Sequence, residues 1–127
     1  MKRSASLKRK RDKPRRNEGR VQQRRIRPSP SDQAEYHRDL RDRVRVCEGC
    51  KRGGDLVLHH ILASFPGKRR RDERYVVILC PACHNMGTYS VHLLGSETRY
   101  YDHHGVDLVG IAIARWRLYC QRQGIEP

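Results

Sequence analysis

Two cysteine pairs, Cys47-Glu48-Gly49-Cys50 and Cys80-Pro81-Ala82-Cys83, are separated by 29 residues. A Cys-x2-Cys turn presents two thiolates to one ion, and zinc takes four such ligands in a tetrahedron. Cys47, Cys50, Cys80 and Cys83 therefore read as one structural Zn²⁺ site. Reduced buried thiols and disulfides are the competing readings, and two such pairs in so short a chain favour metal over both. Between the pairs stands Leu58-His59-His60-Ile61-Leu62, and His84-Asn85 follows the second pair directly. Neutral imidazoles bind divalent metals and exchange protons near neutral pH. Hydrolysis of a phosphodiester needs a base to activate water and a positive charge to stabilise the phosphate and the leaving oxygen, which one divalent ion can supply. Successive strand residues point to opposite faces, so His59 and His60 cannot both face one ion on a regular strand.

The elements that must position these groups are short. The gap between the cysteine pairs is longer than a compact zinc ribbon needs and accommodates a hairpin with its loop. Residues 55–62 and 75–79 read as its strands, and Gly53-Gly54 and Pro66-Gly67 as turns. Residues 32–45 suit a short helix with Asp32 as its N-cap. Pro81 suits the first turn of a helix carrying His84. Residues 88–94 read as a further helical turn stopped at Gly95. Asp102-His103-His104 reads as a structural or solvated loop ahead of the last helix. That helix runs from about Gly105 to Gln123, with Val106, Val109, Ile113, Trp116 and Cys120 at helical spacings and Gly124 as its stop.

Charge divides the 127-residue chain in two. Residues 1–27 hold 13 of the 28 Lys and Arg against only Asp12 and Glu18, a net +11 of the total +14. Beyond Met1, the large apolar groups there are Leu7, Val21 and Ile26. Such a segment buries too little surface to offset its ordering entropy, so residues 1–31 are expected to form a disordered basic arm and residues 32–127 one folded domain. One Trp and one Phe make a thin core, for which a metal is a natural staple. No run of about 18 apolar residues is present, and the basic N-terminus lacks an apolar signal core, so a cytoplasmic protein without a membrane span is expected. Nothing in the sequence specifies an oligomeric state.

The order Cys-x2-Cys, a strand ending in His-His-Ile, a loop, a second strand, then Leu-Cys-x2-Cys-His resembles the zinc-bearing HNH endonucleases over roughly residues 44–95. The resemblance implies a small α+β, ββα-metal (His-Me finger) domain with a C-terminal helix. It implies that His60 is the general base, that His59 and His84 ligate a catalytic divalent ion, Mg²⁺ or Mn²⁺, and that His92 is a further ligand at a wider spacing. It implies water attack leaving 5′-phosphate and 3′-hydroxyl ends, with His60 oriented by a backbone carbonyl or another acceptor. The chain departs from the family where its middle Asn is usual: Tyr75 stands there, and Asn85 lies beside His84 instead. Compact relatives with basic arms occur in phages and mobile elements, including Ref-type recombination nucleases. A phage role in recombination or DNA packaging is the corresponding expectation.

Lys68-Arg69-Arg70-Arg71 lie between the expected strands, where four cations neutralise phosphates with little sequence preference. The arm suits a non-specific DNA tether. The function expected is therefore metal-dependent DNA endonuclease activity of low sequence specificity. The alternative is a non-catalytic zinc-binding module that binds DNA or RNA through the arm and loop, for which the displaced Asn is the best argument. A ribosome-associated zinc protein is a third reading, opposed by the paired histidines on a strand.

Overall fold

A computed structural model describes residues 28–127. The expected arm of residues 1–27 lies outside the described residues. The element order is helix α1 (Pro30–Arg43), strand β1 (Val57–His60), strand β2 (Val76–Leu79), a wide π-type turn (Ala82–Met86), and helices α2 (Val91–Leu94), α3 (Glu97–His104) and α4 (Leu108–Gln123). This is a small mixed α/β fold on a two-stranded antiparallel sheet. None of these helices is long and apolar enough to cross a membrane.

The first helix begins earlier than expected. Ser29, not Asp32, is its N-cap: the Ser29 hydroxyl accepts from the Asp32 backbone N–H and the Asp32 carboxylate accepts from the Ser29 N–H. This reciprocal box with Pro30 in the first turn is a strong helix start, and it draws residues 30 and 31 of the expected arm into the fold.

The strands pair in the register His59↔Val77 and His60↔Val76, shorter at both ends of β1 than the expected 55–62. Alternation along β2 separates two cores. Val77 and Leu79 join Cys47, Cys80, Cys83, Ile61, Val91, Tyr100, Leu108 and Ala112. Val76 and Ile78 join Tyr36 and Leu40 of α1 and Trp116, Tyr119 and Cys120 of α4. A lone two-stranded hairpin is marginal in water, so these two clusters must carry it. Each fully buried aliphatic contributes about 1.5–3 kcal/mol. Cys120 is buried as a small core residue, as expected. On α4 the buried set is Leu108, Ala112, Trp116, Tyr119 and Cys120, whereas Val109 and Ile113 are only half-buried.

A whole element went unforeseen. Asp102-His103-His104 is not a loop; it closes α3. His103 stacks on Tyr89 at 3.9 Å between ring centres, and the His104 Nε2 lies 2.8 Å from the Tyr89 carbonyl. Gly95, at φ 95°, ends α2 in the left-handed region and lets Ser96 start α3 at once, its hydroxyl accepting from the Arg99 N–H. That reversal sets His92 and Glu97 on the same side of β1.

The loop between the strands is pinned by Asp72, whose carboxylate accepts from the backbone N–H groups of Arg69 and Arg74 and from the Arg74 guanidinium at 2.7–2.9 Å. Arg74 also donates to the Gly67 carbonyl. Asp72 is 3 % exposed. Burial opposes its ionisation, but the Arg74 side chain and the two N–H donors outweigh it and hold the carboxyl at about 2, below the ordinary 3.8. A depressed carboxyl stabilises above its ordinary value and loses that contribution as pH falls through the folded one, here about 2 kcal/mol in all. The stability gap between wild type and Asp72→Asn, followed in urea through the fluorescence of Trp116, should narrow from about pH 5 to about pH 3. A gap that does not change with pH would contradict this.

Candidate metal and catalytic centre

The four cysteines come together from two turns. Their sulfurs all lie within 4.8 Å of one another, and Cys50 Sγ and Cys80 Sγ are 3.6 Å apart. All five cysteines are free of disulfides. A tetrahedron of sulfurs about 2.3 Å from one zinc has edges of about 3.8 Å, so the cluster fits that ion. Cys47 Sγ accepts from the N–H groups of Gly49 and Cys50 at 3.3 and 3.4 Å. Burial opposes ionisation of Cys47, but the N–H groups of Cys50, Cys80 and Gly49 outweigh it and hold the thiol below its usual range. Burial pushes the Cys80 and Cys83 thiols up.

Glu48 ties the first turn to the rest of the fold. Its backbone N–H donates to the Ile78 carbonyl, its carboxylate accepts from the Ile78 N–H, and it pairs with Arg115 of α4. Gly49 is required by close approach, since a Cβ there would lie 2.0 Å from the Tyr100 hydroxyl. Gly49→Ala should therefore lower stability by about 1–3 kcal/mol, as overpacking does. Adding Tyr100→Phe should recover part of the loss in thermal unfolding. No recovery in the double variant would place the strain elsewhere.

A second cluster lies apart from the sulfurs. His59, His84 and His92 bring one ligand atom each to within 4.8 Å of the others. Three local devices place them. His59 is on the β1 face shared with Val77 and is fully buried. His84 rides the wide turn, closed by the Gly87 N–H donating to the Ala82 carbonyl at 3.1 Å. Such one-turn widenings re-aim side chains and recur at functional sites. His92 stands on α2, started by Ser90, whose hydroxyl accepts from the Leu93 N–H.

Sequence reasoning missed Glu97. It is 2 % exposed, in the first turn of α3. Its Oε2 accepts from His59 Nε2 at 2.9 Å and from the Leu62 N–H at 2.6 Å, and its Oε1 from the Ala63 N–H at 2.9 Å. Burial raises the Glu97 carboxyl, but His59 and the N–H donors prevail and hold it below its ordinary value. With Nε2–H committed to Glu97, His59 has its lone pair at Nδ1, a buried atom without a hydrogen-bond partner. An orphaned nitrogen next to two more imidazoles fits a metal, with Glu97 as the outer acceptor that fixes tautomer and orientation. Burial, then the nearby His59 and His92, push His84 down to about 4. Burial and His59 likewise lower His92. Both rings stay neutral, the form that ligates, at physiological pH.

His60 takes the other face of β1, with its Nε2 2.7 Å from Glu73 Oε1. It borders an open cleft of about 340 Å³ together with Leu58, Leu62, Arg70, Arg71, His84 and His92. Of the four loop cations expected to meet nucleic acid, only Arg70 and Arg71 line this cleft. Lys68 Nζ donates back to the carbonyls of Arg69 and Arg70. Arg69 borders a separate hollow with Pro30, Gln33 and Arg74. Tyr75, in the place of the expected Asn, packs on Phe65 with ring centres 5.0 Å apart, and its carbonyl accepts from the Ile61 N–H. Asn85 is exposed. The brace for the loop is thus Asp72 with Arg74.

Comparison with known protein families, curated proteins and solved structures returned no match to this chain. The geometry therefore stands alone: a four-cysteine cluster that could hold zinc, and a separate three-histidine cluster beside a basic cleft.

Proposed function

We propose that this protein is a divalent-metal-dependent DNA endonuclease of the HNH kind, cutting or nicking with low sequence specificity. The observation that carries the reading is the three-histidine cluster, backed by Glu97 and opening on the cleft that also holds His60, Arg70 and Arg71. A structural zinc module has no use for a second cluster of neutral imidazoles beside two guanidinium groups.

In this reading His59, His84 and His92 hold one divalent ion. When bound, that ion would neutralise charge on the phosphate and on the leaving oxygen. An all-imidazole set suits borderline transition ions better than Mg²⁺, so Mn²⁺ is favoured of the two ions expected. His60 accepts the proton of the attacking water as a neutral imidazole. Arg70 and Arg71 neutralise flanking phosphates and set the register of the strand, with affinity that falls as salt rises. The products are 5′-phosphate and 3′-hydroxyl ends.

The test is the chemistry of the nick. Supercoiled plasmid incubated with the protein and Mn²⁺ should be converted to open circles that DNA ligase reseals, and chelator should prevent it. Salt-sensitive binding without nicking in Mn²⁺, Mg²⁺ or Zn²⁺ would point instead to the non-catalytic zinc-binding module.

A further inference from the structure

Glu73 has a place in the site that the endonuclease reading does not assign. It sits between Asp72 and Arg74, the pair that pins the strand-connecting loop. From there its Oε1 meets His60 Nε2 at 2.7 Å. Its own backbone is held from α1, because His37 Nε2 donates to the Glu73 carbonyl at 2.7 Å. The His37 and His60 rings lie 6.3 Å apart, nearly perpendicular at 85°. One histidine thus holds the Glu73 backbone while the carboxylate meets another.

We propose that Glu73 is the positioning residue for His60: by accepting from Nε2–H it fixes the ring and its tautomer, leaving the lone pair at Nδ1 for the proton of the attacking water. This deepens the endonuclease reading and rests on it for the role of His60. The physical case is the one that applies wherever an imidazole serves as a base. A neutral ring has one protonated nitrogen, and the acceptor bonded to that nitrogen decides which one it is. Without the acceptor the ring divides between tautomers and rotates, and the competent fraction falls. The ionised form of Glu73 is favoured by the same contact: the hydrogen bond from His60 is the main cause holding its carboxyl below the ordinary range, with burial opposing. Glu73 is 41 % exposed at its side chain, so removing it opens no buried cavity.

The experiment reads the tautomer directly. In protein labelled with ¹⁵N-histidine, long-range ¹H–¹⁵N spectra at about pH 8, where an ordinary imidazole is neutral, should show His60 protonated at Nε2. The signals are assigned by their loss in His60→Gln. Glu73→Ala should shift His60 toward a mixture of tautomers, and Glu73→Gln, which keeps an accepting oxygen, should restore the wild-type pattern. In cleavage assays Glu73→Ala should lower kcat by about 10- to 100-fold with KM little changed, the size of effect that loss of an orienting acceptor has and less than loss of the base itself, and Glu73→Gln should recover most of it. A His60 spectrum that Glu73→Ala leaves unchanged would overturn the proposal, whether or not the protein cleaves DNA. A tautomer that follows Glu73 in a protein that never cleaves DNA would uphold the positioning role and sink the endonuclease reading instead.

Discussion

Stripping metal from the four-cysteine cluster, or replacing Cys83 by Ser, is expected to abolish cooperative folding of residues 28–127. The cluster is the joint between the Cys47–Cys50 turn and the start of the wide turn, and three of its sulfurs belong to residues buried in the fold. Without an ion, Cys80 and Cys83 are thiols that burial keeps protonated, while Cys47 is held toward thiolate. Such a set is self-repelling as thiolates and held only by weak sulfur hydrogen bonds as thiols; a metal would resolve both. Structural zinc contributes about 10–16 kcal/mol to small domains that build their site on folding. That is comparable to or larger than the roughly 5–15 kcal/mol of net stability typical of a domain, so the loss decides the folded state. The measurement is one zinc per chain in the purified protein, followed by thermal unfolding with and without a strong chelator. Loss of the cooperative transition on chelation is expected. An unchanged transition would show that the two hydrophobic clusters stand without metal.

Glu97→Ala is expected to be the most damaging single substitution outside the cysteines. It removes the acceptor of His59 Nε2, of the Leu62 N–H and of the Ala63 N–H together. Removing a buried acceptor costs about 1–3 kcal/mol for each donor left without a partner, and three donors lose theirs here. The same change frees the His59 ring to turn or change tautomer, and loss of such an outer acceptor weakens metal affinity by about 10- to 100-fold. Two readouts separate the effects: the thermal midpoint, and Mn²⁺ affinity measured by calorimetry on the zinc-loaded protein. Glu97→Gln, with one accepting oxygen, should fall between Ala and wild type in both. A Glu97→Ala protein of unaltered stability would show that its three hydrogen bonds carry no net weight.

The difference between what could and could not be read from the sequence has physical causes. The cysteine pairs were legible because Cys-x2-Cys is a local device: the ligands and the turn that aims them lie within four residues. β2 was legible as a run of β-branched and aliphatic residues, and the strand alternation at His59-His60 already required that the two rings divide their roles. The α1 start was misplaced because Asp32 and Ser29 are both good caps, and only the reciprocal bond shows which caps and which answers. Helix α3 was missed because only Tyr100 and Glu97 of its eight residues are buried, too few to print an apolar period. With the helix went Glu97, since an acid in a first turn reads as a partner of the helix dipole. The convergence of His92 with His59 was expected from the family resemblance and not from local pattern: two short caps and a left-handed glycine bring it about, and none of them announces a direction in space. Glu73 and His37 were hidden for a simpler reason: their meeting joins α1 to a loop 36 residues away.

The central claim is that His60 acts as a base beside a metal held by its neighbours, and it is tested most directly by His60→Ala. The variant should retain its zinc, its thermal midpoint and its salt-sensitive DNA binding, because His60 is partly exposed and belongs to neither core. Conversion of supercoiled plasmid by the Mn²⁺-loaded variant should fall by about 10²- to 10⁴-fold, the worth of a positioned general base. A folded, DNA-binding His60→Ala protein that nicks plasmid at the wild-type rate would contradict the claim.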